Sequence, residues 1–188
     1  MNAFAIRRSL FIISAFLSLA AAVALPACKD ANLNVDPAET KGSDRLSSDD
    51  TTFFAKAGQA GMVEMQAATL AGERSKADDV KTFASMISTD HSANNKMLQA
   101  LAAKKSVSLP TALDRDHQAM LDSLRKKSPE DFDKAYASAM KDGHEKAVDL
   151  FSEVSEDSKD ADISGFAKTS LPTLEHHLEL AKTLSSAH

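Results

Sequence analysis

From Ser48 onward, apolar residues recur every three to four positions, the spacing that places side chains on one face of an α-helix. No stretch of this region alternates apolar and polar residues as a half-buried strand does. The pattern predicts four long amphipathic helices, with one short helix between the second and the third long ones. The apolar stripes span residues 53–71, 80–101, 113–124, 132–154 and 163–184.

Polar side chains and a proline mark where the predicted helices begin. Ser, Thr, Asp and Asn satisfy the free N–H groups of a first helical turn, and Pro is tolerated at the first helical position because its missing N–H has no partner there. The expected starting positions are Ser48 or Asp49 for the first helix, Ser128 followed by Pro129 for the third long helix, and Asp160 or Asp162 for the last.

The connector between the second and third long helices decides the topology. A tight turn would leave those two helices antiparallel, whereas a connector of about 25 residues can run the length of a bundle and leave them parallel. The sequence therefore predicts an all-α fold, a ferritin-like four-helix bundle over residues 49–186, with a long crossover that contains the short extra helix.

The chain before the bundle has the features of an export leader. Residues 1–27 combine a basic start, Arg7 and Arg8, with an apolar run over residues 9–25 and small residues near its end, which predicts a signal peptide. The apolar run is too short for a permanent membrane span. Residues 28–48 are polar and aperiodic, which predicts a flexible tether. We expect an exported protein, either periplasmic or anchored in the outer membrane.

Two processing sites compete at the end of the leader. Ala22-Val23-Ala24 fits ordinary signal-peptide cleavage, whereas Leu25-Pro26-Ala27-Cys28 resembles a lipobox, in which the cysteine is acylated and becomes the mature N-terminus. Cys28 is the only cysteine, so no intrachain disulfide can form. A lipid on Cys28 would be the only predicted contact with a membrane.

The charge and the aromatic content exclude several classes of partner. Removing the predicted leader removes Arg7, Arg8 and no acid, so the net charge falls from −5 to −7. An acidic domain without a basic patch argues against nucleic acid as a partner. With no Trp and one Tyr, the chain also has little from which to build a stacking platform for bases. The identity of a protein partner stays open.

Each long helix carries one candidate metal ligand, a Glu or a His, on its apolar stripe. Imidazoles and carboxylates are costly to bury without partners, and bundle cores are a common place for metal ligands on facing helices. A single such histidine is more often a hydrogen-bonded core residue, but four residues on four helices predict a metal site. One carboxylate and three imidazoles suit one divalent ion, and the sequence does not distinguish zinc, iron, manganese or copper. The predicted ligands are Glu64, His91, His144 and His177.

The spacing of these residues argues against a diiron centre. Such centres use Glu-x-x-His on two helices, and the chain contains no Glu-x-x-His. Asp90 lies about 100° around its helix from His91, so it is either a partner behind an imidazole of a neighbouring helix or a solvated acid. Tyr136 shares the face of His144, where it either supports the site from behind or forms a hydrogen bond within the core.

Short motifs recur in a fixed order over residues 51–184. They are Ala60-Gly61 with Glu64, Phe83-Ala84 followed by Asp90-His91, Leu109-Pro110, Phe132-Asp133 with Tyr136, Met140 and His144, and Leu171-Pro172 with His177 and Leu178. In order and spacing they resemble domain-of-unknown-function family 4142, whose bacterial envelope members are often labelled "predicted outer membrane protein". The resemblance implies a ferritin-like bundle after an export signal, and it implies that His177 rather than His176 is the family's position in the last helix. It implies no established activity.

Three functional hypotheses follow. The first is an exported, metal-binding or stress-associated protein of the cell envelope. The second is an enzyme, a mononuclear-metal oxidoreductase that uses Glu64 and the three histidines. The third is a metal-free structural or interaction module whose polar core fixes the helix register. The sequence leaves open whether the protein is an enzyme, and it contains no Gly-x-Ser-x-Gly or phosphate-binding motif.

Overall fold

The computed structural model describes residues 46–188, so the predicted leader, Cys28 and most of the predicted tether lie outside the described residues. The described part is all-helical, and the predicted all-α class is confirmed. None of its helices is long and apolar enough to cross a membrane. The helices are α1 (Ser48–Arg74), α2 (Asp78–Lys104), α3 (Arg115–Lys126), α4 (Pro129–Asp157) and α5 (Ala161–Ala187).

Contacts at the helix ends establish the topology. Residues 75–77 join α1 and α2 in a short turn, so these helices are antiparallel. Ser158, just after α4, donates a hydrogen bond of 2.7 Å to Asp50 in the first turn of α1, so α4 is antiparallel to α1. Lys104 at the end of α2 lies 2.8 Å from Asp162 at the start of α5. Helices α2 and α4 are therefore parallel, and the predicted bundle with one long crossover is confirmed.

Side chains of α1 fasten both ends of the crossover. At its start, the Gln59 amide donates to the carbonyl of Ala112 at 2.9 Å and accepts from the N–H of Asp114 at 3.0 Å. At its end, the Arg74 guanidinium lies 4.9 Å from the ring centre of Phe132. The last carbonyl groups of a helix lack intrahelical donors and attract a cation. Arg74 donates to such carbonyls at 2.5–3.1 Å, those of Leu124, Arg125 and Lys127.

One predicted helix start is wrong by a residue. Ser47, rather than Ser48 or Asp49, caps α1, because its hydroxyl accepts from the backbone N–H of Asp50 at 2.9 Å, three residues along the chain. The caps at Ser128 and Asp160 are confirmed.

Two apolar clusters fill opposite ends of the bundle. One is built around Val80, Phe83 and Phe132, and the other around Phe53 and Phe151. Along each long helix, the residues between the two clusters include one buried polar side chain. These side chains are Glu64, His91, His144 and His177. The fold therefore gathers the four predicted ligands into one polar layer near the middle of the core.

Candidate metal centre

The side chains of His91, His144 and His177 meet in this polar layer. Each offers one ring nitrogen such that all three ligand atoms lie within 4.8 Å of one another. The three ring centroids are 5.3–5.5 Å apart, and no more than 4% of any of these residues is exposed. A triangle of imidazoles shielded from water in this way can hold one metal ion.

One nitrogen of His91 is held by a carboxylate. Its Nδ1 lies 3.0 Å from Oε2 of Glu64, and because a carboxylate accepts hydrogen bonds, Nδ1 carries the ring hydrogen when the imidazole is neutral. The lone pair of His91 is then on Nε2. That nitrogen lies 3.4 Å from Nδ1 of His177.

The other two histidines are oriented in the same way. Nε2 of His177 lies 2.9 Å from Oδ2 of Asp90. Nδ1 of His144 lies 2.9 Å from the backbone carbonyl of Met140, which accepts only, so this nitrogen carries the ring hydrogen. The remaining nitrogens are Nδ1 of His177 and Nε2 of His144, and the latter has no hydrogen-bond partner within residues 46–188.

Three lone pairs therefore face one another while an acceptor holds each ring from behind. Metal-binding histidines are typically oriented in this way, with the second ring N–H donated to a carboxylate or a carbonyl. Two nitrogens bound at 2.0–2.1 Å to a tetrahedral ion lie about 3.3 Å apart. The 3.4 Å between His91 and His177 is close to that spacing.

Glu64 occupies a different position from the three histidines. Its carboxylate lies beside the ring nitrogens that point away from the centre of the triangle, 3.0 Å from Nδ1 of His91 and 3.6 Å from Nδ1 of His144. The four residues predicted as ligands are thus brought together but divide into three imidazoles that face the centre and one carboxylate behind them. Asp90, with 41% of its side chain exposed, has the same relation to His177.

The charges in the layer are coupled. Burial alone would raise the pKa of Glu64, but His144, then His91 and His177, outweigh it and hold that pKa below its ordinary value. Burial would lower the pKa of His91, but the Glu64 carboxylate outweighs it and raises that pKa. Burial holds the pKa of His177 below its ordinary value despite Asp90. A metal ion bound here would compete with a proton for His91 more than for His177.

Tyr136 and His176 do not join the triangle. The ring of Tyr136 belongs to the apolar cluster around Phe83 and Phe132, whose ring centroids lie 6.3 and 6.2 Å from its own. Tyr136 is fully buried, and its hydroxyl makes no hydrogen bond to another described residue. Burial, and then the charge of Glu64, raise the pKa of this phenol. His176 is exposed to solvent, and its ring centroid lies 6.4 Å from that of His177.

The polar layer is approached from two sides. A cavity of about 210 Å³ between α2 and α5 is lined by Asp90, His91 and His177. On the other side, a groove of about 1170 Å³ between α1, α3 and α4 reaches Glu64 and Gly143. Gly143 and the backbone carbonyl of Met140 are not among the residues predicted for the site. Gly143 could have been found from the sequence, because it is a glycine inside a helix directly before the candidate ligand His144. The role of the Met140 carbonyl leaves no signal in the sequence, because every residue has a backbone carbonyl.

Comparisons with known proteins extend the description of the fold. Among curated proteins, none matches this chain significantly. The structure is similar to the crystal structure of a DUF305 fragment from Deinococcus radiodurans, with a TM-score of 0.67 and 14% sequence identity, over 76% of this chain and 99% of that one. At this identity the similarity shows the fold alone. A family model described as "Domain of unknown function (DUF4142)" matches residues 35–184. The chain therefore belongs to the DUF4142 family.

Proposed function

We propose that this domain binds one divalent metal ion through Nε2 of His91, Nε2 of His144 and Nδ1 of His177. The observation that carries the proposal is that each of these rings already has an acceptor behind its other nitrogen. Glu64 and Asp90 would then act as outer partners, which orient two of the ligands and place negative charge near a dication.

The same geometry is less well explained as a hydrogen-bond network without metal. When the rings are neutral, two lone pairs face each other across the 3.4 Å between His91 and His177. Nε2 of His144 has no donor in the described part of the chain. A bound cation satisfies all three lone pairs at once, whereas in a metal-free network a proton on His91 would pair Nε2 of His91 with Nδ1 of His177 and still leave Nε2 of His144 unpaired.

The cell envelope is the proposed location. It rests on the leader-like pattern of residues 1–27, with its basic start, apolar run and small residues. A metal-binding protein of the envelope is therefore the function that we infer for the whole chain, either soluble after ordinary cleavage or anchored through Cys28.

A mononuclear-metal oxidoreductase is the second candidate. Three protein ligands leave one position of a tetrahedral ion free, as catalytic sites require. The cavity of about 210 Å³ between α2 and α5 supports this candidate, because it leads from the surface to His91 and His177 and has room for a small molecule. Turnover of peroxide or oxygen by the metal-loaded protein would separate an enzyme from a binding protein.

The metal proposal is tested by the metal content of the purified full chain. The protein is stripped with a chelator, loaded in turn with zinc, iron, manganese and copper, and analysed for bound metal. We expect one ion per chain in the wild type. The variants His144→Ala and His177→Ala should lose it, because each removes one of three ligands. His176→Ala is the matched control, since it removes a neighbouring but exposed imidazole.

Thermal unfolding gives an independent measurement. An ion that binds only the folded state, supplied at about 100 times its Kd, adds about 2.7 kcal/mol of stability. For a domain of this size that corresponds to a rise in Tm of about 5–11 °C. The rise should occur in the wild type and in His176→Ala, but not in the other two variants. A wild type that takes up none of the four ions, or ligand variants that keep its metal content, would show the proposal to be wrong.

A further inference from the structure

The groove between α1, α3 and α4 is a separate feature from the histidine triangle. Its volume is about 1170 Å³, and it lies on the opposite side of the bundle from the α2–α5 cavity. Its walls contain aliphatic side chains and no Phe, Tyr or Trp, so they suit an extended aliphatic group better than a large flat ring system. The apolar residues of its lining include Ala60, Val63, Met120, Ala139 and Leu150.

A buried carboxylate oxygen lies at the floor of this groove. Glu64 is 2% exposed, and its Oε1 has no hydrogen-bond partner within residues 46–188. Gly143 lies beside that oxygen, because a Cβ added to this glycine would come within 3.3 Å of Oε1. Both residues line the groove. The missing side chain at position 143 therefore leaves unfilled space beside this buried oxygen, next to the groove.

The chemistry of this floor restricts the ligand. A carboxylate oxygen accepts hydrogen bonds, so the group that meets it must be a donor, which excludes carboxylates and phosphates as head groups. The lining of the groove carries six acidic side chains against three lysines, which also favours a cation over an anion.

We propose that this groove binds a protonated aliphatic amine, whose ammonium group donates a hydrogen bond to Oε1 of Glu64 through the gap at Gly143 and whose chain lies along the aliphatic wall. The site is distinct from the three imidazole nitrogens proposed to hold the metal ion. It is tested on the metal-stripped full chain, so that its outcome does not depend on metal binding.

The test compares three probes of equal chain length, hexylamine, 1-hexanol and hexanoate, by isothermal titration calorimetry. We expect hexylamine to bind at least tenfold more tightly than 1-hexanol, and hexanoate to bind more weakly than either. Equal affinities for the three probes would overturn the proposal, because they would show contact with the aliphatic wall only.

Two glycine variants locate the head group. Gly143→Ala places a methyl group against Oε1 and should lower the affinity for hexylamine at least tenfold. Gly165→Ala is the matched control, because a Cβ at that helical position meets nothing within 4 Å, and it should bind as the wild type does. Circular dichroism checks that both variants are folded. Wild-type affinity in folded Gly143→Ala would also overturn the proposal.

Glu64→Gln provides a second line of evidence. This substitution keeps the size of the side chain and removes its charge, so it should abolish the preference for hexylamine over 1-hexanol. A preference that survives in this variant would show that the ammonium group binds elsewhere, and the assignment to Glu64 would be wrong.

Discussion

Replacing Glu64 with glutamine tests whether its carboxylate is itself a metal ligand or only orients the histidine that binds the metal. In the structure only Oε2 is close to a histidine, at 3.0 Å from Nδ1 of His91. His144 depends mainly on the Met140 carbonyl at 2.9 Å, since Glu64 is 3.6 Å away from it. We therefore expect Glu64→Gln to disturb the support of one ligand out of three and to leave all three lone pairs in place.

The size of the effect follows from this geometry. Loss of an outer partner typically weakens metal binding about 10–100-fold, which is about 1.4–2.7 kcal/mol. Asp90→Asn is a useful comparison, because Asp90 supports His177 at 2.9 Å in the same way. Since 41% of the Asp90 side chain is exposed, water can take its place, and its substitution should cost less than that of Glu64.

The assay is a zinc titration in competition with a chromophoric chelator, for the wild type, both variants and His144→Ala. We expect Glu64→Gln to bind one zinc ion per chain with a weakened Kd, and His144→Ala to lose stoichiometric binding. If Glu64→Gln loses zinc as completely as His144→Ala does, the carboxylate is itself a ligand. If its Kd equals that of the wild type, the contact with His91 does not support the metal.

Three further predictions concern stability and processing. Phe83→Ala should lower the free energy of unfolding in urea by about 3–5 kcal/mol, because the ring is 5% exposed within the core, and a loss below about 1 kcal/mol would contradict this packing. The ammonium groups of Lys104 and Lys105 lower the pKa of Asp162 to about 2. The ionised Asp162 carboxylate should thus stabilise the fold fully above its unfolded pKa of 3.8, and this stabilisation should be lost as the pH falls through about 2. In thermal melts, Asp162→Asn should therefore be less stable than the wild type at pH 7 and equal to it below pH 2. If Cys28 is lipidated, a labelled fatty acid should be incorporated into the wild type and not into Cys28→Ser, whereas a label that survives the substitution excludes acylation of that residue.

The fold was predictable because its signals are local. A 3.6-residue period sustained over long helices leaves little ambiguity, and a cap such as Ser128 before Pro129 acts on neighbouring backbone groups. The length of the connector then selected the crossover. The error at the first cap shows the limit of local signals, since Ser47, Ser48 and Asp49 are all good caps and the sequence does not rank them.

The inner arrangement of the site was less predictable. Stripe positions placed Glu64 and the histidines in one layer, but the direction of each side chain depends on groups from elsewhere in the fold. The Met140 carbonyl selects the tautomer of His144, and Asp90 selects that of His177 from a different helix. Whether the Glu64 carboxylate lies at the inner or the outer nitrogens of the rings depends on how the side-chain rotamers pack. The spacing of residues along the chain does not determine this.

The contacts between α1 and the crossover determine the local stability of α3. This helix fully buries only Leu121 and Leu124, Met120 packs partly against the core, and the polar bonds of Gln59 and Arg74 hold the two ends of the helix. Elements with few buried apolar contacts and exposed backbone hydrogen bonds open without global unfolding. The amide protons of α3 should therefore exchange with solvent through a local opening. Those in the middle of α1 should exchange only when the whole bundle unfolds. One wall of the groove above Glu64 should therefore open before the rest of the bundle, which lets the groove widen while the polar layer stays intact.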